Sequence, residues 1–457
     1  MSLITDIPFA KWKTRLQFHL ELPLYRNAYL LMLNTLSSAV LGILYWILAA
    51  RLYSPGVVGN DSLAISTMIF VTSIAGLNLT VGFIRFIPNM RHEIYRILAF
   101  SYLVVIGLTF VCVSGLFALN AVGIVKLAFF DGDPAFTIWY IVACLLWAVF
   151  GLQDAVLTGL REAKWVPIEN GVYGIVKMLM LILLAGAHPT SGIFISWSVP
   201  VIGAIIFINY LLLRRLIPRH IARLPSDHPP MKWRELFRYS VIDFMGSFFW
   251  IVLVSMMPYM VSLMLGEQMT GYFYIAWTAA SVFQFMTNGM STSFTVEGAH
   301  DRSQLYPVAR RVLRQLFWLL IPALFLGFVA APVVLRLYGD DYAANSTGVF
   351  QLLALGVIPF SINTLFVSIS RVQRRLGRVI VMEAALCFIT LGLALILTKP
   401  MGINGVGLAY LTGQTVVAVT LLLTSMRHVF LLPLPKTEWL LTMRIVQRRL
   451  FDAYRRG

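Results

Sequence analysis

The sequence contains few charged residues for its length. Lys, Arg, Asp and Glu together make up 12% of its 457 residues, whereas hydrophobic residues make up 59%. A soluble domain averages about 25% charged residues. The composition therefore excludes an ordinary water-soluble protein and indicates a polytopic membrane protein, in which length counts membrane spans rather than soluble domains.

The sequence also lacks long polar segments and the short motifs of common enzymes. No polar segment exceeds about 30 residues, which is too short for a catalytic domain outside the membrane. HExxH, GxSxG, P-loop and Gly-rich dinucleotide patterns are all missing. We therefore expect a protein that is not an enzyme, that needs no cofactor and that draws energy from a gradient or a partner. A glycan polymerase or acyltransferase is the least favoured class, because the predicted outer loops are short.

Cysteine and histidine are equally uninformative about chemistry. The three cysteines (Cys112, Cys144 and Cys387) fall inside apolar runs without a CxxC pattern, as expected of small buried hydrophobes. The seven histidines are scattered over separate segments without metal-ligand spacing. The sequence therefore predicts no metal site.

Long apolar runs dominate the remaining sequence. A run of about 20 apolar residues crosses a bilayer as a helix. Twelve such runs predict an all-α protein with both termini on one side of the membrane. They are 28–50, 62–84, 97–119, 135–157, 166–187, 190–213, 240–265, 271–294, 314–335, 347–370, 378–398 and 404–426.

The basic residues predict how these spans are oriented. Of the 36 Lys and Arg residues, 31 fall in segments on the side of the termini, 4 fall on the opposite side, and Lys177 lies inside a span. The positive-inside rule then places both termini in the cytoplasm. The net charge of +16 is spread over short loops, so we expect contact with membrane lipids and not with nucleic acid.

The spans divide into two halves with weak internal similarity. Arg161 precedes Glu169 and Arg375 precedes Glu383 by the same spacing, each at the fifth span of its half. GVVGND at 56–61 and GEQMTGYF at 266–273 each follow a first span. Both halves start on the same side, which predicts a parallel repeat of two six-helix lobes around a central cavity.

Five regions follow from this division. They are a cytoplasmic N-terminal segment at 1–27, a first lobe at 28–213, a cytoplasmic linker at 214–239, a second lobe at 240–426 and a basic amphipathic tail at 427–457.

Lys177 is the residue whose placement inside the membrane is expected to cost the most free energy. It lies about 16 Å into the fifth span at 1.5 Å per residue, where a cation costs about 2.5 to 3.5 kcal/mol. Asn170, Gly174 and Lys177 share one helix face. This pattern predicts a cavity-facing contact for an anionic group such as pyrophosphate. The alternative is a structural ion pair with Asp154 or Glu169. By the same register the second lobe has Leu391 in place of Lys177.

Acidic residues mark the ends of several spans. They lie within about two turns of the cytoplasmic ends, with none assigned deep in a span, and each is a candidate for gating or proton coupling or a helix-end residue paired with a loop arginine. They are Asp154, Glu169, Asp243, Glu297 and Glu383.

The first hairpin resembles a known family. Ala50-Arg51 closes the first span, Gly56 to Gly59 lie in the loop, and Arg85-Phe86-Ile87-Pro88 closes the second span. This pattern is similar to that of the polysaccharide-biosynthesis flippases in the multidrug/oligosaccharidyl-lipid/polysaccharide exporter superfamily.

The resemblance implies a function and a site. It implies a flippase of the bacterial plasma membrane that moves polyprenyl-pyrophosphate-linked oligosaccharide to the outer leaflet by alternating access, with other polysaccharide-assembly proteins as partners. Cationic lumen residues in such flippases agree with Lys177, beside Asn170, and add Arg85 and Arg51 as substrate contacts; lipid headgroup contact is the alternative for these two arginines. An ion-coupled multidrug exporter of the same superfamily is the alternative function.

Overall fold

The computed structural model describes residues 23–130, 134–223, 233–300, 305–373 and 375–426. Most of these residues are helical, and these ranges contain no strand. The tail predicted at 427–457 and most of the N-terminal segment predicted at 1–27 lie outside the described residues. The side chain of Glu297 lies in a helical stretch whose side chains are not described.

Sixteen α-helices make up the described chain. In chain order they are α1 Pro23–Leu52, α2 Pro55–Gly76, α3 Leu79–Phe86, α4 Glu93–Ala121, α5 Pro134–Gly159, α6 Trp165–Leu184, α7 Gly192–Ser198, α8 Pro200–Leu211, α9 Ile217–Arg223, α10 Trp233–Leu265, α11 Glu267–His300, α12 Leu305–Arg336, α13 Asp340–Leu355, α14 Val357–Val372, α15 Leu376–Met401 and α16 Ile403–Leu423.

These helices form the twelve predicted passes. The second pass is α2 with α3, the sixth is α7 to α9, and the tenth is α13 with α14. Eleven passes are long and apolar enough to cross a membrane within the described residues. The eighth, α11, falls short because it carries Gln284, Thr287 and Asn288, yet it packs against α2, α10, α12, α13 and α14. The prediction of an all-α fold with twelve transmembrane helices in two lobes is confirmed.

The two lobes have separate internal packing. In the first lobe α1 packs along α6, and α5 contacts α2, α3, α4 and α8. In the second lobe α15 packs against α16 and α10, and α11 contacts α13 and α14. The lobes meet where α2 packs against α10 and α11. We call the membrane side on which α1 begins the terminal face and the side on which α1 ends, at Leu52, the far face.

The basic segment at 214–239 is more helical than a linker. A π-helical turn at Leu212–Leu216 joins α8 to α9, and α10 already begins at Trp233. The helix continues because Leu216, Ile217 and Ile221 are buried in the terminal-face core of the first lobe. The prolines and charges of this segment predicted a linker, and its apolar spacing was not taken into account. The division of the chain at this segment stays a prediction.

The second pass is broken between α2 and α3. Leu77 and Asn78 adopt the left-handed conformation with φ of 45° and 51°. Residues other than glycine pay of order 1 to 3 kcal/mol for such a conformation. The break leaves backbone groups without helical partners, which a membrane protein tolerates only where water or protein can satisfy them.

Candidate functional site

Lys177 lies inside a cage of aromatic rings. It belongs to the buried face of α6 and is 6% exposed. Its Nζ lies 3.6 Å from the ring centroid of Trp197, 4.7 Å from that of Tyr45 and 5.1 Å from that of Tyr173. A cation over a ring face gains roughly 0.5 to 2 kcal/mol per contact when desolvated. The cage therefore offsets part of the cost of placing this charge in the membrane.

Lys177 forms no ion pair with a carboxylate in the described part of the chain, where the ion pairs within 4.0 Å join Glu162 to Lys164 and Arg223. The predicted alternative, a pair with Asp154 or Glu169, is not formed in this conformation. The ammonium is thus held by rings, which leave its positive charge uncancelled.

The structure brings three of the predicted site residues together, about two turns along α6 from Lys177. Asn170 Nδ2 donates to Asp154 Oδ2 at 3.0 Å, joining α6 to α5. Glu169, the residue before Asn170, is 5% exposed. Neither oxygen of Glu169 and only one oxygen of Asp154 has a hydrogen-bond partner in the described chain. Asp154, Glu169 and Asn170 form a buried acidic group separate from the lysine cage.

Asp61 is a buried carboxylate that sequence reasoning missed. It lies in α2 with no exposed surface, and its Oδ2 accepts the backbone N–H of Phe194 at 2.9 Å, near the start of α7. It lies within the first two turns of α2, so it belongs with the acidic residues at span ends, among which it was not predicted. The predicted second span begins at residue 62 and so leaves out Asp61. Pro55, at the first helical position, indicates that the helix begins earlier.

The two predicted arginine contacts lie at opposite faces. Arg51 Nε donates to the carbonyl of Leu337 at 2.9 Å, and its guanidinium also reaches the carbonyl of Arg336, which ties α1 to the end of α12. Arg85 lies 4.4 Å from the ring centroid of Tyr239, near the terminal-face end of α10. Both side chains are exposed, and neither approaches the lysine cage.

A first pocket of about 190 Å³ lies at the break between α2 and α3. Its lining carries no charged residue and combines hydroxyls, an amide and one large ring. Thr72 donates its hydroxyl to Met68, whereas the hydroxyls of Ser73 and Thr80 have no partner among the described residues. The lining residues are Thr72, Ser73, Gly76, Asn78, Thr80, Trp147, Ala148, Gly151, Leu152 and Ile251.

A second pocket of about 170 Å³ lies in the second lobe and is charged. Arg371 and the predicted coupling residue Glu383 both line it. Asn363 Nδ2 donates to Gln414 Oε1 at 2.7 Å. Glu383 Oε2, Gln414 Nε2 and Asn363 Oδ1 are buried and have no partner in the described chain. This pocket therefore offers both donors and acceptors to a polar ligand.

Asp243 lies between the two pockets. Asn78 Nδ2, on the wall of the first pocket, donates to Asp243 Oδ2 at 3.0 Å and to Ser247 Oγ at 3.4 Å. Arg371 Nη2, on the wall of the second pocket, donates to the same Ser247 Oγ at 3.4 Å. These bonds across α10 connect the first lobe to the second, and a gating role for Asp243 stays a prediction.

Lys177 lines neither pocket. Trp147 lines the first pocket, and its ring centroid is 6.2 Å from that of Trp197, which covers the lysine. Two rings therefore separate the ammonium from the pocket. A direct contact between Lys177 and a substrate stays a prediction.

Comparisons with known proteins find similarity at the level of structure. No protein-family model and no curated sequence matches the chain. An inward-facing multidrug resistance MATE transporter of the MOP superfamily superposes with a TM-score of 0.64 at 11% identity, covering 86% of this chain and 94% of that one. The lipid II flippase MurJ, in an inward closed conformation, gives 0.62 at 14% identity and 86% of both chains.

A third structure extends the comparison. A MOP superfamily transporter from Pyrococcus furiosus, described as having a binding pocket of reverse polarity, gives a TM-score of 0.60 at 12% identity over 90% of this chain and 95% of that one. Identities this low establish the fold and leave the activity open. The chain has the twelve-helix, two-lobe fold of the MOP superfamily transporters.

Proposed function

We propose that this chain is a transporter that flips polyprenyl-pyrophosphate-linked oligosaccharide across a bacterial plasma membrane by alternating access. The terminal face is then the cytoplasmic face, in keeping with the 31 Lys and Arg residues on that side. A glycan and a pyrophosphate cannot enter about 30 Å of hydrocarbon, so the head travels through the cavity while the prenyl chain stays in lipid.

The observation that carries this proposal is the two-sided character of α1 in its terminal half. No residue from 34 to 44 is buried. Asn34 and Ser38 lie on the helix face that continues to Tyr45 and the lysine cage, since residues three to four apart share a face. Leu36 and Val40, on another face, are 65% and 48% exposed. Such a helix borders a polar route on one side and lipid on the other, which suits a substrate with a polar head and a lipid tail.

The first pocket and Lys177 supply chemistry that suits such a head. The first pocket offers neutral hydroxyls and the ring of Trp147, a combination that suits sugar rings. Lys177 supplies an uncancelled positive charge behind that wall, which favours an anion over a cation. MurJ, a structural neighbour, is itself described as a lipid II flippase.

The experiment is a flipping assay in proteoliposomes. The probe is a short polyprenyl-pyrophosphate-linked N-acetylglucosamine, and soluble galactosyltransferase measures the fraction exposed on the outer leaflet. We expect protein-containing vesicles to expose the probe of both leaflets, and protein-free vesicles only that of one. Equal exposure in both preparations would overturn the proposal.

A multidrug exporter is the second candidate, and the buried acidic residues of the first lobe favour it. Asp61 and Glu169 are buried without an ion-pair partner in the described chain, and buried carboxyl groups would attract a cationic drug in their ionised form. Uptake of ethidium by the same vesicles under a sodium or proton gradient, without exposure of the lipid-linked sugar, would establish this function instead.

A further inference from the structure

The two lobes touch backbone to backbone at the far face. Gly59 lies in the first turns of α2 and Gly271 in the first turns of α11. A Cβ on Gly59 would lie 1.8 Å from the carbonyl oxygen of Glu267 and 2.7 Å from the backbone nitrogen of Gly271. A Cβ on Gly271 would lie 2.2 Å from the carbonyl oxygen of Pro55. Real Cβ atoms do not approach other atoms this closely, so only glycine permits this contact.

The contact is the same from both sides. Pro55 precedes Gly59 by four residues, and Glu267 precedes Gly271 by four residues. Each glycine therefore lies against the carbonyl one helical turn before the other glycine. A self-complementary contact of this kind is expected on a twofold axis. It places the two repeated segments GVVGND and GEQMTGYF at the pseudo-twofold axis between the lobes.

Among the glycines of α2 and α11, the close approach is specific to these two positions. A Cβ on Gly56, one turn earlier in α2, would meet nothing within 4 Å. Farther along the same two helices, Thr72 and Ser73 line the first pocket and Asn288 lines the second. The helices α2 and α11 are thus in contact at the far face and flank open pockets toward the terminal face.

Two further contacts hold the lobes together at the far face. Arg51 donates to the carbonyl groups at the end of α12. The backbone N–H of Lys126 donates to the hydroxyl of Tyr259 at 3.4 Å. All three contacts join the first lobe to the second, and Arg51 and Lys126 are exposed, so these two bonds exchange readily with water. Of these three contacts, the Gly59–Gly271 contact is the one that requires the backbones of α2 and α11 to stay at a fixed distance.

We propose that the Gly59–Gly271 contact is the far-face closure of the transport cavity, which forms and separates once in each transport cycle. The absence of side chains lets two helix backbones seal the cavity on the symmetry axis. This inference rests on the alternating access of the proposed function but not on the identity of the substrate. A side chain at either position holds the helices apart and favours the conformation open to the far face.

The test measures from which face the first pocket can be reached. Cys112, Cys144 and Cys387 are replaced by alanine, Ser73→Cys is introduced as a reporter, and the protein is placed in sealed vesicles. A C-terminal tag scored by protease gives the orientation. The reporter is labelled by a membrane-impermeant maleimide added from the far face. We expect Gly59→Leu and Gly271→Leu to raise the labelling rate at least about fivefold, and Gly56→Leu to leave it unchanged.

Smaller substitutions keep the test decisive. Gly59→Ala and Gly271→Ala should give intermediate increases, and the double variant should add little because both act on one contact. Unchanged labelling in the leucine variants would overturn the proposal. So would failure of both alanine variants to reach the membrane while Gly56→Ala does, since the contact would then be a fixed part of the fold. The readout needs no glycan, so a negative flipping assay with positive labelling rejects only the proposed substrate.

Discussion

The two lobes repeat one helical arrangement but differ in how their charged residues are placed. In the first lobe Lys177 is surrounded by rings, and Asp61 and Glu169 lie elsewhere without a basic partner within 4.0 Å in the described chain. In the second lobe Arg371 and Glu383, which carry opposite charges, line one pocket. Leu391 stands where the repeat would place a second lysine. A repeated backbone thus fixes where helices run, while single residues decide what each half binds.

The difference suggests a division of labour within one cavity. A cation without a counterion attracts an anion, whereas two opposite charges on one pocket wall offset each other toward a ligand, so a change in either one alters the field in the pocket. The first lobe therefore suits the recognition of an anionic head. The second lobe suits the binding of a coupling ion or the sensing of the conformational state. The predictions below test this division.

The largest expected effect follows the removal of the first-lobe cation. Lys177→Ala should lower the initial flipping rate of the lipid-linked sugar at least about tenfold, since the loss of one charge-assisted contact costs about 1.5 to 3 kcal/mol. Lys177→Arg should retain part of the rate if charge alone matters. The rate is measured in the galactosyltransferase assay, with Lys399→Ala, at an exposed site, as the control. Full activity in Lys177→Ala would reject the role of the first lobe in anion recognition.

The second-lobe pair should show coupling between its members. Glu383→Gln leaves Arg371 without its neutralising neighbour, and Arg371→Gln does the converse, so each single change should slow flipping by several-fold. The double variant should recover part of the loss, because neither charge then remains uncompensated. A double-mutant cycle on the flipping rate gives the coupling free energy, which we expect to be about 1 kcal/mol or more. Additive effects would show that the two residues act separately.

The fold was largely predictable from the sequence, and the site only in part. Twelve passes followed from apolar run length, because hydrocarbon imposes one length scale on every spanning helix. The pairing of Asn170 with Asp154 was not predicted, since it joins residues sixteen positions apart on two helices. The cage around Lys177 draws Tyr45 and Trp197 from passes far apart in the chain. No local spacing could have indicated that contact.

Asp61 illustrates a different limit of prediction from the sequence. Its position in the sequence, beside Asn60 and after Gly59, is typical of a loop. Burial inside α2 is possible only because the N-terminal end of α7 presents a backbone N–H to its carboxylate. A helix N-terminus stabilises a negative charge, but only the tertiary arrangement shows which residue it stabilises.

Asp61 should therefore contribute to stability. Asp61→Ala removes the acceptor for the Phe194 N–H and should lower the free energy of unfolding by about 1 to 3 kcal/mol. Asp61→Asn keeps an acceptor and should cost less. Thermal unfolding of the purified protein in detergent measures both, and Ser54→Ala, at an exposed position before α2, is the control. If Asp61→Ala is as stable as the parent but no longer transports, Asp61 belongs to the functional carboxylates and the comparison of the lobes must include it.

The smallest expected effect concerns Arg85, at the terminal-face end of the first lobe. Its guanidinium lies over the ring of Tyr239, but the side chain is exposed, and water screens exposed charges strongly. Arg85→Ala should change the flipping rate by less than about twofold, and Arg85→Lys should match the parent. The same assay at low and high salt checks this, because a steering role would weaken as salt rises. A large, salt-dependent loss in Arg85→Ala would show that anion recognition in the first lobe begins at its mouth and not only at Lys177.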